Sequence, residues 1–187
     1  MTHSGTVERF ALSPLIRFTL LSLYIALVLP LPWLAPAELR LLMAAGLVLG
    51  LVLVLGLLSE QVETDSEGIH VRYPEWIRWL LRRGWFMAWS DVRALVPVGT
   101  SQGGTVYYLK AADLRHQLLP QRIERFDRFL SLLSERTSVS TGHIRRLTPP
   151  WTYQVLAALS GVMVAGELVA AGAIQQGWIM LPAGFPG

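Results

Sequence analysis

Residues 41–58 read LLMAAGLVLGLVLVLGLL and contain no charged side chain. Two further windows, residues 18–36 and 147–166, also lack charge. A helix rises 1.5 Å per residue, so about 20 apolar residues cross the roughly 30 Å of bilayer hydrocarbon. Charged residues make up only 16% of the chain, against about 25% in soluble domains. The sequence therefore predicts an integral membrane protein with three transmembrane helices.

The first two helices should form a transmembrane hairpin over residues 14–58. Pro30, Pro32 and Pro36 end the first helix, because proline cannot donate to the helical hydrogen-bond ladder. No small-x-small cleavage site follows the first apolar run, so we expect an uncleaved hairpin rather than a signal peptide. Residues 1–13 are predicted to be a loose cytoplasmic tail.

Gly46 and Gly50 have a GxxxG spacing within the second span. This spacing allows another helix to approach closely, although glycine is also simply common in membrane helices. We keep both interpretations and name the two glycines as candidate helix-packing residues.

The polar region, residues 59–146, combines strand and helix patterns. Its opening, residues 60–68, is acidic and typical of a turn. Alternating or β-branched stretches then predict strands, at residues 69–73, 85–89, 92–98, 105–109 and 117–119. A closing amphipathic helix is predicted from Pro120 to about Thr137, with one apolar face made by Ile123, Phe126, Phe129, Leu130 and Leu133.

The third span is predicted over residues 147–174, followed by a short tail over residues 175–187. Of the 16 lysines and arginines, all but Arg9, Arg17 and Arg40 lie in the polar region. The positive-inside rule places the N-terminus and the polar region in the cytoplasm or stroma. The C-terminus then faces the periplasm or lumen, and the membrane is a plasma or thylakoid membrane.

Residues 74–85 mix tryptophan with arginine. Indoles favour the headgroup region and guanidinium groups pair with lipid phosphates. We predict a short helix on the membrane surface, with Ile77, Leu80 and Leu81 dipping into it, and anionic lipid as a partner. The alternatives are that the tryptophans pack in the domain's own core or contact a protein. The candidate lipid-contact residues are Trp76, Arg78, Trp79, Arg82, Arg83 and Trp85.

Glu167 is the carboxylate of the third apolar stretch. By helical rise it lies roughly 27 Å along the span, near the far interface. It can be an interfacial glutamate, a partner of Arg40, or part of a proton or ion pathway. The last interpretation corresponds to a small transport or channel subunit.

Several chemistries find no support in the sequence. There is no cysteine, which excludes disulfides and thiolate metal sites. The four histidines have no metal-ligand spacing, and no phosphate loop, nucleophile elbow or HExxH motif occurs. Juxtamembrane arginines explain the basic charge better than nucleic acid does. We therefore expect no cofactor, no metal, no catalytic residues and no nucleic-acid partner.

The stretches DSEGIHVRY, WFMAWSDVRALVPV, TVYYLK and LLPQRIERFDRFLSLLSERT resemble a pleckstrin-homology-like (PH-like) domain. The resemblance rests on an opening Gly68-Ile69 strand, the Trp89-Ser-Asp-Val92 turn and the closing helix. It implies a membrane α plus small α+β fold, in which a PH-like β domain with a closing amphipathic helix lies between the hairpin and the third helix. The strands fall short of seven, so we expect a trimmed or irregular barrel.

A span hairpin followed by such a domain is similar to the photosystem I assembly protein family of cyanobacteria and chloroplasts. A third span entered through RRLTPPWTYQ departs from that family and looks like small cyanobacterial thylakoid proteins. The resemblance implies a non-enzymatic adaptor or assembly factor that binds a membrane-protein complex, photosynthetic in a photosynthetic source. A transport or channel subunit using Glu167 is the alternative, and a membrane enzyme is the weakest hypothesis.

Overall fold

The computed structural model describes residues 7–80, 84–101, 104–113, 115–144 and 149–178. Two compact units divide the chain. The first combines Met1–Pro14 with Gly56–Pro149, and the second combines Leu15–Leu55 with Pro150–Gly187. Residues 1–6 and 179–187, which include parts of both predicted tails, lie outside the described residues.

The elements are given in chain order. The helices are α1 (Pro14–Val28), α2 (Leu31–Leu34), α3 (Ala37–Leu57), α4 (Glu75–Arg78), α5 (Phe126–Arg136) and α6 (Pro150–Gln175). The strands are β1 (Glu8–Ala11), β2 (Gln61–Thr64), β3 (Gly68–Arg72), β4 (Trp85–Ala88), β5 (Val92–Gly99), β6 (Thr105–Ala111) and β7 (His116–Leu118). A 3-10 turn at Trp89–Asp91 joins β4 to β5.

Three helical stretches are long and apolar enough to cross a membrane: Pro14–Leu34, Ala37–Leu57 and Trp151–Gln175. They coincide with the predicted spans to within a few residues. The first stretch is interrupted after Val28, where Pro30 and Pro32 follow and the chain restarts as the short helix α2. The predicted apolar helices are therefore confirmed.

In the second unit, α1 contacts both α3 and α6 through polar side chains. Thr19 is fully buried, and its hydroxyl lies 3.1 Å from the carbonyl oxygen of Tyr153 on α6. The Ser22 and Ser160 hydroxyls are 2.8 Å apart, and the Tyr24 hydroxyl donates to the Leu47 carbonyl of α3 at 2.7 Å. Interhelical hydrogen bonds of this kind satisfy polar groups that have no water partner in lipid.

The first unit contains two antiparallel sheets, ordered β1-β2-β3-β4 and β5-β6-β7. Leu12, directly after β1, forms an isolated bridge with Ile123, after β7. This bridge joins the end of the first sheet to the segment that follows the second. The core lies between the sheets and the apolar face of α5, and its fully buried members include Phe10, Val62, Ile69, Leu109, Phe129 and Leu133.

Strands β3 to β7 match the predicted strands to within one or two residues, but β1 and β2 were missed. Residues 8–11 form a strand where a loose tail was predicted, and Gln61–Thr64 is a strand within the predicted acidic turn. Each carries one fully buried apolar residue, Phe10 or Val62, which is too little to produce a readable alternation. The described sheets therefore contain seven strands rather than a trimmed set.

Helix α5 begins at Phe126 rather than at Pro120. The preceding residues are used in closing the sheets, since the Leu119 amide donates to Tyr107 and the Glu124 amide donates to Ala11. Arg125 then adopts a left-handed backbone with φ of 48°, which an L-residue adopts at some cost. Tertiary hydrogen bonds thus override the helical pattern over these residues.

Candidate functional site

Helix α4 brings the predicted lipid-contact segment to the end of α3. Ile77 is only 2% exposed, and a Cβ added to Gly56, in the last turn of α3, would lie 2.5 Å from its Cγ1. The prediction that Ile77 dips into the membrane is therefore wrong, because this side chain fills the space left by Gly56. Gly56 and Ile77 together hold α4 against the terminal turn of α3.

Beside this contact lies an exposed apolar surface, which we call the indole patch and which consists of Trp76, Trp79 and Leu80. Their side chains are 50%, 79% and 49% exposed. The Trp79 indole N–H donates to the backbone carbonyl of Trp76 at 2.9 Å, which orients the Trp79 ring against the α4 backbone. The patch thus displays two exposed indoles, the side chains that favour a membrane interface.

The other predicted lipid-contact residues have different surroundings. Trp85 is half-buried and packs against the core, so the core-packing alternative is correct for this residue. Arg78 stays exposed and lies 3.7 Å from Glu75. Leu81, Arg82 and Arg83 lie outside the described residues.

Three arginines on the domain surface form ion pairs with glutamates. Arg9 and Arg72, on β1 and β3, approach Glu63 on β2 at 2.8 and 3.6 Å. Arg128 on α5 pairs with Glu8 at 2.7 Å, and this pairing lowers the pKa of the Glu8 carboxyl. The pairs of Arg9 and Glu8 tie β1 to β2 and to α5.

The Asp65–Gly68 turn and Trp89 form one hydrogen-bonded unit. The Asp65 carboxylate accepts the amides of Glu67 and Gly68 at 2.8 and 2.9 Å and lies 3.0 Å from His70 Nε2. Burial alone would raise the pKa of Asp65, but these bonds outweigh it and lower the pKa. The Trp89 indole donates to the Asp65 carbonyl at 2.9 Å. Gly68 and Trp89, on which the PH-like resemblance rests, thus lie in one hydrogen-bonded turn.

The two glycines of the GxxxG spacing differ in their surroundings. A Cβ on Gly50 would collide with the Tyr24 hydroxyl, whereas a Cβ on Gly46 would meet nothing within 4 Å. Gly50 therefore allows close packing of α1 on α3, and the face at Gly46 is open among the described residues.

Glu167 lies in α6, as predicted. Its Oε2 atom is buried and has no hydrogen-bond partner among the described residues. The Arg40 guanidinium Nε donates to the Ala35 carbonyl at 3.4 Å. The pairing of Arg40 with Glu167 stays a prediction.

A cleft of about 470 Å³ opens in the first unit. Its wall contains the residue after β1 (Leu12), the residue before β2 (Glu60), and the facing ends of β3, β4, β6 and β7. Burial raises the pKa of Glu60, against the opposing effects of a hydrogen bond from Tyr73 and the nearby charge of Arg122. The sequence did not reveal this site, because Glu60 was assigned to a turn and the facing walls come from distant strands.

Among the described residues, no group of three or more histidine or acidic side chains could hold a metal ion. No model of a known protein family matches the chain. The chain is similar to the uncharacterized protein slr0269 of the cyanobacterium Synechocystis, with 44% identity over 165 residues. The matched segment covers 85% of this chain and 83% of the relative.

Proposed function

We propose that this chain, which belongs to the same family as the Synechocystis protein slr0269, is a non-enzymatic membrane adaptor. In this proposal a PH-like domain, apposed to the cytoplasmic or stromal membrane surface, binds and stabilises a membrane-protein complex. The family is cyanobacterial, so assembly of a photosynthetic complex in the thylakoid is the specific version of the proposal.

The PH-like assignment is supported by the arrangement of the first unit. It has one sheet of four strands and one of three, with a single amphipathic helix after the last strand. Closure through the Leu12–Ile123 bridge and the helix packing on Phe10 are consistent with a small barrel sealed at one end.

The observation that carries the proposal is the insertion of the span hairpin between two paired strands. Strands β1 and β2 are neighbours in one sheet, with Arg9 opposite Glu63, yet α1, α2 and α3 lie between them in sequence. Two residues connect β1 to α1, and three connect α3 to β2. Both ends of the hairpin are therefore joined to the sheet by short linkers. A domain tethered twice in this way is suited to working at the membrane surface.

The indole patch supports the same geometry. Trp76, Trp79 and Leu80 are exposed on a segment that Ile77 fastens to the last turn of α3. Exposed indoles at this point would lie at headgroup level if α3 crosses the bilayer. The concentration of arginine in the polar region supports a cytoplasmic or stromal location for the domain.

The adaptor function is tested by purifying the tagged chain from membranes of its host in two mild detergents. We expect one membrane complex to be recovered at a constant ratio to the chain, and a photosystem subunit in the thylakoid version. The variant Trp79→Ala should retain the complex if the patch contacts lipid. Val98→Ala, at an exposed apolar position on β5, is the matched control. Recovery of the chain alone in both detergents would contradict the proposal.

One observation favours a second function, a transport or channel subunit. The buried Oε2 atom of Glu167 has no hydrogen-bond partner among the described residues, and intramembrane carboxylates often mark ion or proton pathways. Glu167→Gln should then abolish function while the chain accumulates normally. Under the adaptor proposal the same variant keeps both its partner and its function.

A further inference from the structure

Helices α1 and α6 belong to the same compact unit and contact each other through one face of each helix. The Thr19 hydroxyl of α1 lies 3.1 Å from the Tyr153 carbonyl oxygen of α6. Further along both helices, the Ser22 and Ser160 hydroxyls lie 2.8 Å apart. The two contacts advance together, so the helices run in the same direction. Ala26 follows Ser22 by one turn on the same face of α1 and is only 1% exposed.

Glu167 lies on the face of α6 that contacts α1. It follows Ser160 by seven residues, or two helical turns, so the two side chains leave the helix in nearly the same direction. Its Cα is roughly 10.5 Å beyond Ser160, and its side chain leans back over the preceding turn. On the parallel helix, Ala26 is roughly 6 Å beyond Ser22. The Glu167 carboxyl and Ala26 therefore lie at about the same level of the contact.

Two oxygen acceptors at this level lack a donor. Glu167 Oε2 is buried and has no hydrogen-bond partner among the described residues. In a continuous helix the Ala26 carbonyl would accept the amide of residue 30, but Pro30 has no amide hydrogen. The preceding amide, that of Leu29, donates to Ile25 instead. Unpaired acceptors inside an apolar helix bundle are costly, so the pair favours a positively charged occupant.

Taking α1 and α6 as membrane spans, we propose that the Glu167 carboxylate and the Ala26 carbonyl bind a small monovalent cation, sodium or potassium. Such hard cations prefer oxygen ligands, and the carbonyls of interrupted membrane helices are used for this purpose in transporters. Because Glu167 lies near the end of its span, water at the interface can complete the coordination. A bound cation requires no transport, so the site is compatible with the adaptor function.

Charge balance favours a monovalent over a divalent cation. The described parts of the three apolar helices carry four charged residues, Arg17, Glu38, Arg40 and Glu167. Glu38 and Arg40 have opposite charges and both lie in the first turn of α3. Arg17 precedes Ala26 by nine residues, roughly 13.5 Å along α1. A monovalent cation neutralises the one negative charge left at Glu167, whereas a divalent cation would leave a net positive charge in an apolar region, which is costly.

The test labels the full chain in detergent with dicyclohexylcarbodiimide, which modifies protonated carboxyl groups in apolar surroundings. Labelling of Glu167 is measured by mass spectrometry in choline chloride, and then with sodium or potassium chloride replacing choline at constant ionic strength. We expect labelling in choline and protection by sodium or potassium, about tenfold at a tenfold excess of the cation over its dissociation constant. Glu38→Gln, at an exposed carboxyl of α3, is the matched control and should leave the protection unchanged.

Thermal unfolding of the same samples, followed by helical circular dichroism, gives an independent measurement. A hundredfold excess of the bound cation over its dissociation constant should lower the unfolded fraction about a hundredfold in the unmodified chain and in Glu38→Gln. Glu167→Gln should not respond, because its neutral amide can donate to the Ala26 carbonyl without a cation.

Three results would overturn the proposal. Equal labelling of Glu167 in all three salts would show that a proton alone occupies the site. Labelling that is absent in every salt and appears only in Arg40→Gln would show that Arg40 is the partner of Glu167. An equal cation response of the unmodified chain and Glu167→Gln would place the cation elsewhere. The adaptor proposal is tested separately, by recovery of the partner complex, and survives each of these results.

Discussion

Replacing Phe10 with alanine should strongly destabilise the first unit. Phe10 on β1 is fully buried, lies edge-on to Phe129 of α5 at 5.7 Å, and has the Arg125 guanidinium 5.2 Å from its ring centroid. Truncation of a buried phenylalanine to alanine costs about 3–5 kcal/mol through lost transfer energy and the cavity left behind. Since small domains are stable by about 5–15 kcal/mol, Phe10→Ala should raise the unfolded fraction more than a hundredfold.

Pulse proteolysis of the full chain in detergent, across a urea series, measures this change through cleavage in the polar region. Val7 precedes the same strand and is 56% exposed, so Val7→Ala is the matched control and should change stability by less than about 0.5 kcal/mol. If the urea midpoints of Phe10→Ala and Val7→Ala coincide, β1 is not part of the folded unit and the reasoning about the inserted hairpin fails.

Three further predictions follow from single contacts. Gly68→Ala should destabilise the first unit by about 1–3 kcal/mol in the same proteolysis assay, since its Cβ would collide with a backbone carbonyl of β4, whereas Gly99→Ala, in open space, should not. Gly50→Ala should shorten the half-life of the helical unit on heating in detergent, measured by loss of helical circular dichroism, while Gly46→Ala leaves it unchanged. Because folding raises the pKa of Glu60 above its ordinary 4.5, its ionised form destabilises the fold. Glu60→Gln should therefore raise the urea midpoint at neutral pH, and this gain should disappear below pH 4.5; a gain that persists in acid would contradict the assignment.

The three apolar helices were predictable because the bilayer requires long uncharged runs, which a sequence displays directly. Strand β3 was predictable for a similar reason, since Ile69 and Val71 alternate with polar residues and are both buried. Strand β1 was not predictable, because its one buried side chain, Phe10, is recognisable as core only after β1 pairs with β2. That pairing spans the whole hairpin and leaves no local pattern.

The candidate site was likewise predictable only in part. The tryptophans and arginines of residues 74–85 identified the segment as a candidate site, but the burial of each side chain depends on tertiary contacts. Ile77 is buried because Gly56 leaves room for it, and Trp85 packs on the core while Trp79 stays exposed. The cleft beside Glu60 was invisible in the sequence, because its walls come from strand ends far apart in the chain.

Under the adaptor proposal, the indole patch contacts lipid at the membrane surface. The chain contains no cysteine, so one spin label can be placed uniquely, at Trp79→Cys in the patch or at Ser131→Cys on the exposed face of α5. Power saturation of the full chain in lipid vesicles compares collisions with oxygen, which concentrates in the bilayer, and with a water-soluble nickel chelate. We predict that the label at 79 collides mainly with oxygen and the label at 131 mainly with the chelate. Equal, chelate-dominated collisions at both positions would contradict the account.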